Sequence, residues 1–228
     1  MATSTASQRP KRANALLIMA KRPTPGRTKT RLVPPLTPEQ AAALYECFLQ
    51  DTLELARQVP DVQPVVVYTP ANAEAYFTDL APDFECTPQK GPDLGARLDN
   101  ALTHYLSRGF QCVAAINSDG PTLPLAYLKQ AFERLREEAD VVLGPTDDGG
   151  YYLIGLKRPA PRLLREVRMS TPHVTVDTLA LAVEEELRVV LLPNWYDVDD
   201  VESLMRLKAA LATAPPHTAR HTQAFLSS

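Results

Sequence analysis

The chain has 228 residues, of which 45% are hydrophobic and 22% are charged, which is typical of a globular protein with enough apolar residues for one core. The net charge of −3 argues against a general nucleic-acid-binding surface, and no apolar run approaches the ~20 residues that span a bilayer. Three scattered cysteines without a CxxC pair indicate reduced thiols. We therefore expect a cytoplasmic protein with neither a nucleic-acid nor a membrane partner.

The two ends of the chain have the composition of tails. Residues 1–13 are rich in Ser and Thr and then basic, without apolar periodicity, and residues 213–228 contain Pro215-Pro216 and two histidines. We predict that both segments are disordered and that residues 14–212 form one domain.

A basic loop, residues 21–31, follows an apolar run at 14–19 that predicts a buried first strand. Five cations surround Pro25-Gly26 in this exposed loop. Lysine and arginine both suit phosphate oxygens, so the loop predicts a site for a di- or triphosphate, although a solvated basic turn is the simpler alternative. The candidate nucleotide-binding residues here are Lys21, Gly26, Arg27, Lys29 and Arg31.

Helix-like and strand-like segments then alternate along the chain. Thr37, Pro38 and Gln40 form a capping box that begins a helix over 38–58. The next segments are a strand at 62–69, a helix at 73–80, a weak strand at 84–88, a helix at 94–105, a strand at 111–117, a helix at 125–135, strands at 140–144 and 151–156, a helix at 176–187, a strand at 189–192 and a helix at 200–211. This order predicts a mostly parallel sheet with helices on both faces, with a ligand beyond the carboxyl ends of the strands.

Asp119 directly follows the predicted strand at 111–117, at the edge of the sheet where the basic loop also lies. A carboxylate there can hold Mg²⁺ or Mn²⁺ against phosphate oxygens, because hard cations take oxygen ligands. The alternative is an Asx turn, which the sequence Ser118-Asp119-Gly120-Pro121 also favours. The position at a strand end favours the metal ligand.

Asp199 lies between the strand at 189–192 and the last helix, in Asp197-Val198-Asp199. With Glu202 three residues later, it predicts a helix N-cap. A capping aspartate keeps a second oxygen free, so Asp199 is also a candidate second metal ligand.

The glycine turn at 146–152 (TDDGGYY) lies between two strand-like runs, so it first predicts a hairpin. A tight glycine turn can also let the backbone approach a ligand, which adjacent tyrosines then contact. The residues leave both interpretations open. The candidates are Asp147, Asp148, Gly149, Gly150 and Tyr151, with Asp148 a candidate catalytic base.

Five motifs occur in one order, and together they resemble those of the DUF2064 family. They are Lys21 to Leu32 (KRPTPGRTKTRL), Gly91 to Leu98 (GPDLGARL), Ser118 to Pro121 (SDGP), Gly144 to Leu156 (GPTDDGGYYLIGL) and Asp197 to Asp199 (DVD). The resemblance covers residues 14 to 212. The family is also described as radical-SAM/selenodomain-associated transferases and arsenosugar-biosynthesis glycosyltransferases, within the GT-A nucleotide-diphospho-sugar transferase superfamily. It is similar to phospholactate and molybdenum-cofactor guanylyltransferases.

The resemblance implies a single three-layer, Rossmann-like GT-A domain. It also implies a nucleotide site at the first strand's loop, further substrate contacts at Asp93 and Arg97, and a metal carboxylate at Asp119. Two residues depart from the family pattern: Asn117 replaces a usual Gly, and Met169 replaces a common Trp. The second departure bears on the acceptor, because that segment is expected to border the acceptor pocket.

Two enzyme chemistries fit these residues. In nucleotidyl transfer, a small phosphorylated acceptor attacks a nucleoside triphosphate, Lys29 and its neighbours neutralise the pyrophosphate, and a metal on Asp119 and Asp199 bridges the phosphates. In glycosyl transfer, the donor is a nucleotide-sugar, and Asp147 or Asp148 is the candidate base for an acceptor hydroxyl. The density of cations and the Asp-Val-Asp motif, which resembles that of nucleotidyltransferases, favour nucleotidyl transfer, whereas the family description favours glycosyl transfer. We narrowly favour nucleotidyl transfer. The non-enzyme alternative is a degenerate nucleotide-binding module.

Overall fold

The computed structural model describes residues 12–227, so the predicted N-terminal tail lies almost wholly outside the described residues. The strands are β1 (Asn14–Lys21), β2 (Val62–Thr69), β3 (Glu85–Pro88), β4 (Cys112–Ile116), β5 (Val141–Pro145), β6 (Tyr151–Leu156) and β7 (Val189–Leu191). The helices are α1 (Pro38–Arg57), α2 (Glu74–Leu80), α3 (Leu94–Ser107), α4 (Leu125–Glu137), α5 (Arg162–Arg165), α6 (Val174–Glu184), α7 (Val201–Thr213) and α8 (Arg220–Ser227). Apart from α5 and α8, which the sequence analysis did not predict, these strands and helices match the predicted elements within a few residues.

The strands form one seven-stranded sheet in the order β3-β2-β1-β4-β6-β5-β7. β1 is parallel to both β2 and β4, whereas β6 runs antiparallel to β4 and β5. The predicted mostly parallel α/β sheet is thus confirmed. The strand order reverses at β1 and β4, and a crevice forms at such a switch point beyond the carboxyl ends of the strands.

Helices cover both faces of the sheet, which makes a three-layer α/β/α domain. Leu16 and Ile18 of β1 pack on the face that α1, α2 and α4 cover. Ala15 and Leu17, which alternate with them, pack on the face that α3, α5 and α6 cover. The nearly continuous apolar run of β1 is therefore explained by burial on both sides.

Helix α8 packs against α1, where the sequence predicts a disordered tail. Thr222 is fully buried, and its backbone N–H and Oγ1 donate to Asp51 Oδ2 at 2.9 and 2.6 Å. His221 N donates to Asp51 Oδ1 at 3.0 Å, and Arg220 pairs with Glu54. The prediction of disorder is wrong for 220–227, because a buried carboxylate on α1 accepts the hydrogen bonds of the first turn of α8.

Within residues 12–227, every helix is too short or too polar to cross a membrane.

Candidate functional site

A cavity of about 690 Å³ opens at the carboxyl ends of β1 and β4, at the switch point of the sheet. Nine of the sequence-predicted site residues line it: Lys21, Arg27, Lys29, Arg31, Asp119, Asp148, Gly150, Tyr151 and Asp199. Five predicted residues lie outside its lining: Gly26, Asp93, Arg97, Asp147 and Gly149. We call this cavity the cleft.

The basic loop is folded by its own hydrogen bonds. Thr28 N donates to the Thr24 carbonyl at 3.1 Å, and Thr24 N donates to Thr28 Oγ1 at 3.0 Å. Gly26 has a φ of +70°, which glycine adopts readily, so its role is to allow the turn of the basic loop. Lys21 Nζ donates to the Arg27 carbonyl at 2.7 Å, so the loop closes back onto the end of β1.

Lys29 bridges two aspartates at the centre of the cleft. Its Nζ lies 2.5 Å from Asp119 Oδ1 and 2.7 Å from Asp199 Oδ1. The lysine side chain is only 4% exposed, against 32% and 40% for the two carboxylates, so this side chain is buried although Lys29 belongs to an exposed loop. Burial alone would lower the pKa of Lys29, but the two carboxylates outweigh burial, and the pKa lies above its ordinary value. Lys29 is therefore a buried cation that holds two anions together.

Hydrogen bonds with Asn117 and Val198 hold the backbone of Asp119 just beyond the end of β4. The preceding Ser118 is buried, and its Oγ lies 2.7 Å from the Tyr45 hydroxyl. Asp119 N donates to Asn117 Oδ1 at 3.3 Å, and Val198 N donates to the Asp119 carbonyl at 2.9 Å. The side chain that supports the turn is thus that of Asn117, which leaves the Asp119 carboxylate to face Lys29.

Asp197 is the carboxylate that the sequence interpretation passed over. It lines the cleft, and its Oδ2 accepts a 2.8 Å hydrogen bond from Asn117 Nδ2. Its Oδ1 is buried without a hydrogen-bond partner among the described residues. Burial, followed by the nearby charge of Asp119, raises the pKa of Asp197 well above its usual range. Two features of the sequence could have indicated a role for Asp197: it lies two residues from Asp199, and its partner Asn117 stands where the family usually has glycine.

The N-cap of α7 is Asp200, so the predicted cap at Asp199 is wrong. Ser203 N donates to Asp200 Oδ1 at 2.9 Å, and Asp200 N donates to Ser203 Oγ at 3.0 Å. The helix starts one residue later than the pattern of Asp199 and Glu202 suggests. The carboxylate of Asp199 is therefore free of the capping role and pairs with Lys29.

The glycine turn is a hairpin between β5 and β6, as one interpretation predicted. Asp148 Oδ1 accepts from Thr146 Oγ1 at 2.6 Å and from Gly150 N at 3.1 Å, and the residue lines the cleft. Asp147 turns away from the cleft and pairs with Arg206 at 2.5 Å. Of the two aspartates, Asp148 is the one that the fold brings to the cleft.

Asp93 and Arg97 shape the start of α3 and lie outside the cleft lining. Asp93 Oδ1 accepts from Ala96 N at 2.8 Å as the helix N-cap, and Arg97 Nε donates to the Gly91 carbonyl at 3.0 Å. Leu94, at the start of the same helix, lines the cleft instead and is 44% exposed. It was not among the site residues predicted from the sequence.

An apolar wall lines the α3 side of the cleft, and sequence reasoning missed most of it. Its residues share one hydrophobic cluster: Met19, Leu98, Tyr151, Ile154 and Met169. The Tyr151 hydroxyl contacts Met169 Sδ at 3.9 Å. The wall comes from four separate segments, so no local pattern in the sequence reveals it.

Comparison with known proteins assigns the chain to a family. The family model described as "uncharacterized protein conserved in bacteria (DUF2064)" matches residues 52–171. The chain belongs to the DUF2064 family. No curated protein matches this DUF2064 chain.

Among solved structures, the DUF2064 chain is similar to a proposed nucleotide-diphospho-sugar transferase from Desulfovibrio desulfuricans G20. The two are 30% identical, with a TM-score of 0.88 over 95% of this chain and 94% of the other. A cytidylyltransferase from Leptospira borgpetersenii serovar Hardjo-bovis (strain JB197) is 14% identical, with a TM-score of 0.58 over 95% of this chain and 94% of that chain. Rv0371c from Mycobacterium tuberculosis H37Rv, in complex with manganese, is 16% identical, with a TM-score of 0.54 over 86% of this chain and 97% of that chain.

The last two similarities show the fold alone. They agree with the 30% identical relative on the GT-A fold of nucleotide-diphospho-sugar transferases, and that relative alone identifies this DUF2064 protein as a transferase.

Proposed function

We propose that the protein transfers a nucleotidyl group from a nucleoside triphosphate to a small acceptor and releases pyrophosphate. The observation that supports this most is the Lys29 ion pair with Asp119 and Asp199, which lies beside a basic loop at the switch point of a GT-A sheet. Lysines, arginines and carboxylates at one strand edge are the groups that phosphoryl chemistry requires for positioning and charge neutralisation.

The basic loop is proposed to hold the phosphates. Lys21, Arg27 and Arg31 line the cleft beside Lys29. In the transfer, an acceptor oxygen bonds to the α-phosphorus while the bond from that phosphorus to the pyrophosphate oxygen breaks. The leaving pyrophosphate gains negative charge, which these cations stabilise without having to reorganise.

The carboxylates fit a divalent cation. Asp119 and Asp199 already share one cation, the Lys29 ammonium, and Asp197 Oδ1 is a buried oxygen without a hydrogen-bond partner among the described residues. Three carboxylates and no sulfur or imidazole ligand suit Mg²⁺ or Mn²⁺. Asp119 and Asp199 are the proposed ligands, and the bound ion would supply charge neutralisation at the phosphates.

Glycosyl transfer from a nucleotide-sugar is the second candidate, and the position of Asp148 favours it. Asp148 lies at the cleft on the same β hairpin as Tyr151 of the apolar wall. One of its oxygens accepts two hydrogen bonds within the turn. The other oxygen can take the proton of an acceptor hydroxyl, which is the role of a general base.

The two chemistries release different products. The full chain is incubated with Mg²⁺ or Mn²⁺, each of the four triphosphates and a panel of acceptors, and pyrophosphate is assayed. A parallel panel of nucleotide-sugars is assayed for free nucleoside diphosphate. Pyrophosphate release supports the proposal, and nucleoside diphosphate release supports the second candidate.

The Asp119→Asn variant should lose activity, on the order of a hundredfold or more, because it removes a charge at the reacting phosphates. Asp200→Asn is the matched control, since Asn caps a helix about as well as Asp. If neither product forms with any donor, both proposed transfer reactions are wrong.

A further inference from the structure

The cations that line the cleft lie on one side of it, and three of its four carboxylates, Asp119, Asp197 and Asp199, lie with them. Among the described residues, every cation in its lining comes from the basic loop: Lys21, Arg27, Lys29 and Arg31. The opposite side of the cleft is formed by the hairpin between β5 and β6 and by the segment at 169–174. In the part of the chain that the structure describes, this side contributes one charged group to the cleft lining, the Asp148 carboxylate, and no Lys, Arg or His. One part of the cleft is therefore suited to anions, and the other combines an apolar wall with a single carboxylate.

The second part is held rigidly. Gly149 has a φ of +86°, and a Cβ at this position would overlap the Pro172 carbonyl oxygen. Thr175 N donates to the Gly149 carbonyl at 3.0 Å, and Thr175 Oγ1 donates to the Gly150 carbonyl at 2.6 Å. The segment at 169–175 is thus locked to the hairpin, so the wall offers a preformed surface rather than a loop that reorganises around any ligand.

A phosphate ester bound at this wall would place a dianion beside Asp148 without a cation to pair with. Like charges brought together in a partly enclosed site are strongly unfavourable, whereas an apolar surface gains from burial against Met169 and Tyr151. The hydroxyl of a neutral compound could reach the free oxygen of Asp148.

We infer that the acceptor is an uncharged hydroxyl compound with an apolar face, and not the phosphorylated acceptor that the sequence favours. The inference rests on the proposed function for the existence of a donor site on the basic loop. The acceptor O–H bond breaks, its proton passes to Asp148, and the oxygen bonds to the reacting centre of the donor. The bond from that centre to the leaving group breaks, which releases pyrophosphate in nucleotidyl transfer, where the centre is the α-phosphorus, or nucleoside diphosphate in glycosyl transfer, where it is the sugar carbon. This balance holds for either transfer chemistry.

Binding of a matched pair of probes tests the inference without knowledge of the donor. Phenyl β-glucoside and its 6-phosphate are titrated into the full chain by calorimetry, with and without each nucleoside triphosphate. When a triphosphate occupies the basic loop, the neutral probe should bind at least about tenfold more tightly than its phosphate, since the phosphate then meets Asp148 without a cation to pair with. Its binding should persist when a triphosphate occupies the basic loop.

A charge-introduction variant sharpens the test. Met169→Lys places a cation on the wall and should tighten binding of the 6-phosphate by about tenfold relative to the neutral probe. Val183→Lys adds the same charge at a 77% exposed position of α6, outside the cleft, and should change neither affinity. If Met169→Lys does not fold, Ser170→Lys adds the cation at the adjacent lining residue.

Tighter or equal binding of the 6-phosphate to the unchanged protein, with a triphosphate bound at the basic loop, would overturn the inference. Displacement of the neutral probe by every triphosphate would also overturn it, because the wall would then be part of the nucleotide site. A lack of binding by the neutral probe would overturn it as well. Failure of the proposed function gives a different pattern, in which no triphosphate binds while the neutral probe still binds.

Discussion

Lys29 acts as an internal counterion in the cleft. Its ammonium occupies the space between Asp119 and Asp199, where a divalent cation is proposed to bind. Two carboxylates this close to each other repel when the cation between them is removed, and a metal ion can replace it. The lysine and the metal therefore compete for the same oxygens unless a phosphate draws the lysine away.

Replacement of Lys29 by Met should tighten Mn²⁺ binding to the nucleotide-free protein by at least about tenfold, because two carboxylates lose their internal partner. Electron paramagnetic resonance of free Mn²⁺ measures this affinity. Arg27→Met removes a cation from the same loop but not from between the two carboxylates, and it should leave Mn²⁺ affinity nearly unchanged. Unchanged or weaker Mn²⁺ binding by Lys29→Met would contradict the counterion role.

Two glycines with positive φ allow the hairpin contact to be tested. Gly149→Ala should destabilise the fold by about 2–4 kcal/mol, because strain at positive φ adds to overlap with the Pro172 carbonyl. Gly26→Ala has a similar φ but no neighbouring atom within 4 Å, so it should cost only about 1–2 kcal/mol. Urea unfolding compares the two variants, and equal losses would mean that the contact does not hold the wall in place.

At the level of elements, helix α8 is held through Asp51 of α1. Burial raises the pKa of Asp51, while hydrogen bonds from Thr222 and His221 oppose that rise. The carboxylate thus needs these donors in order to stay charged inside the protein. This dependence makes the C-terminal segment part of the folded unit rather than a removable tail.

Thr222→Val should lower the free energy of unfolding by about 2 kcal/mol, or roughly 6 °C in Tm, because the 2.6 Å hydrogen bond to Asp51 is lost in a buried position. Ser227→Ala in the same helix is the control and should be close to neutral, since this hydroxyl is exposed. Thermal unfolding measures both variants. A neutral Thr222→Val would mean that α8 does not depend on the contact.

Elements whose signals are local were predictable from the sequence. The capping box at Thr37 and Gln40 is confirmed, and β2 covers residues 62–69, as its β-branched run predicts. Helix α8 was not predictable, because its stability depends on a carboxylate about 170 positions away in the chain. The cap at Asp200 was misplaced by one residue because Asp199 and Asp200 both offer a capping oxygen to the sequence pattern.

At the scale of the whole molecule, the candidate site depends on topology. Lys29 and Asp199 are 170 positions apart, and they meet because the basic loop and the segment before α7 end at the same edge of the sheet. The rule for ligands at strand ends predicted that edge. It could not predict that the lysine pairs with the aspartates, or that Asp197 is buried beside them, since both follow from side-chain packing.

A second group of possible metal ligands lies elsewhere in the described residues. Asp51, Glu54 and His221 are close enough to share an ion, but they are paired with Arg220 and Thr222 at the contact between α1 and α8. We assign this group to helix packing. The two groups therefore give distinct predictions for where a metal binds.

Anomalous diffraction from crystals grown with Mn²⁺ and a nucleoside triphosphate would locate the metal and the nucleotide together. We predict one manganese peak between Asp119 and Asp199, with the triphosphate along the basic loop and Lys29 Nζ moved from the carboxylates to a phosphate oxygen. A manganese ion at Asp51, Glu54 and His221 with none in the cleft, or a triphosphate bound away from the basic loop, would contradict this prediction.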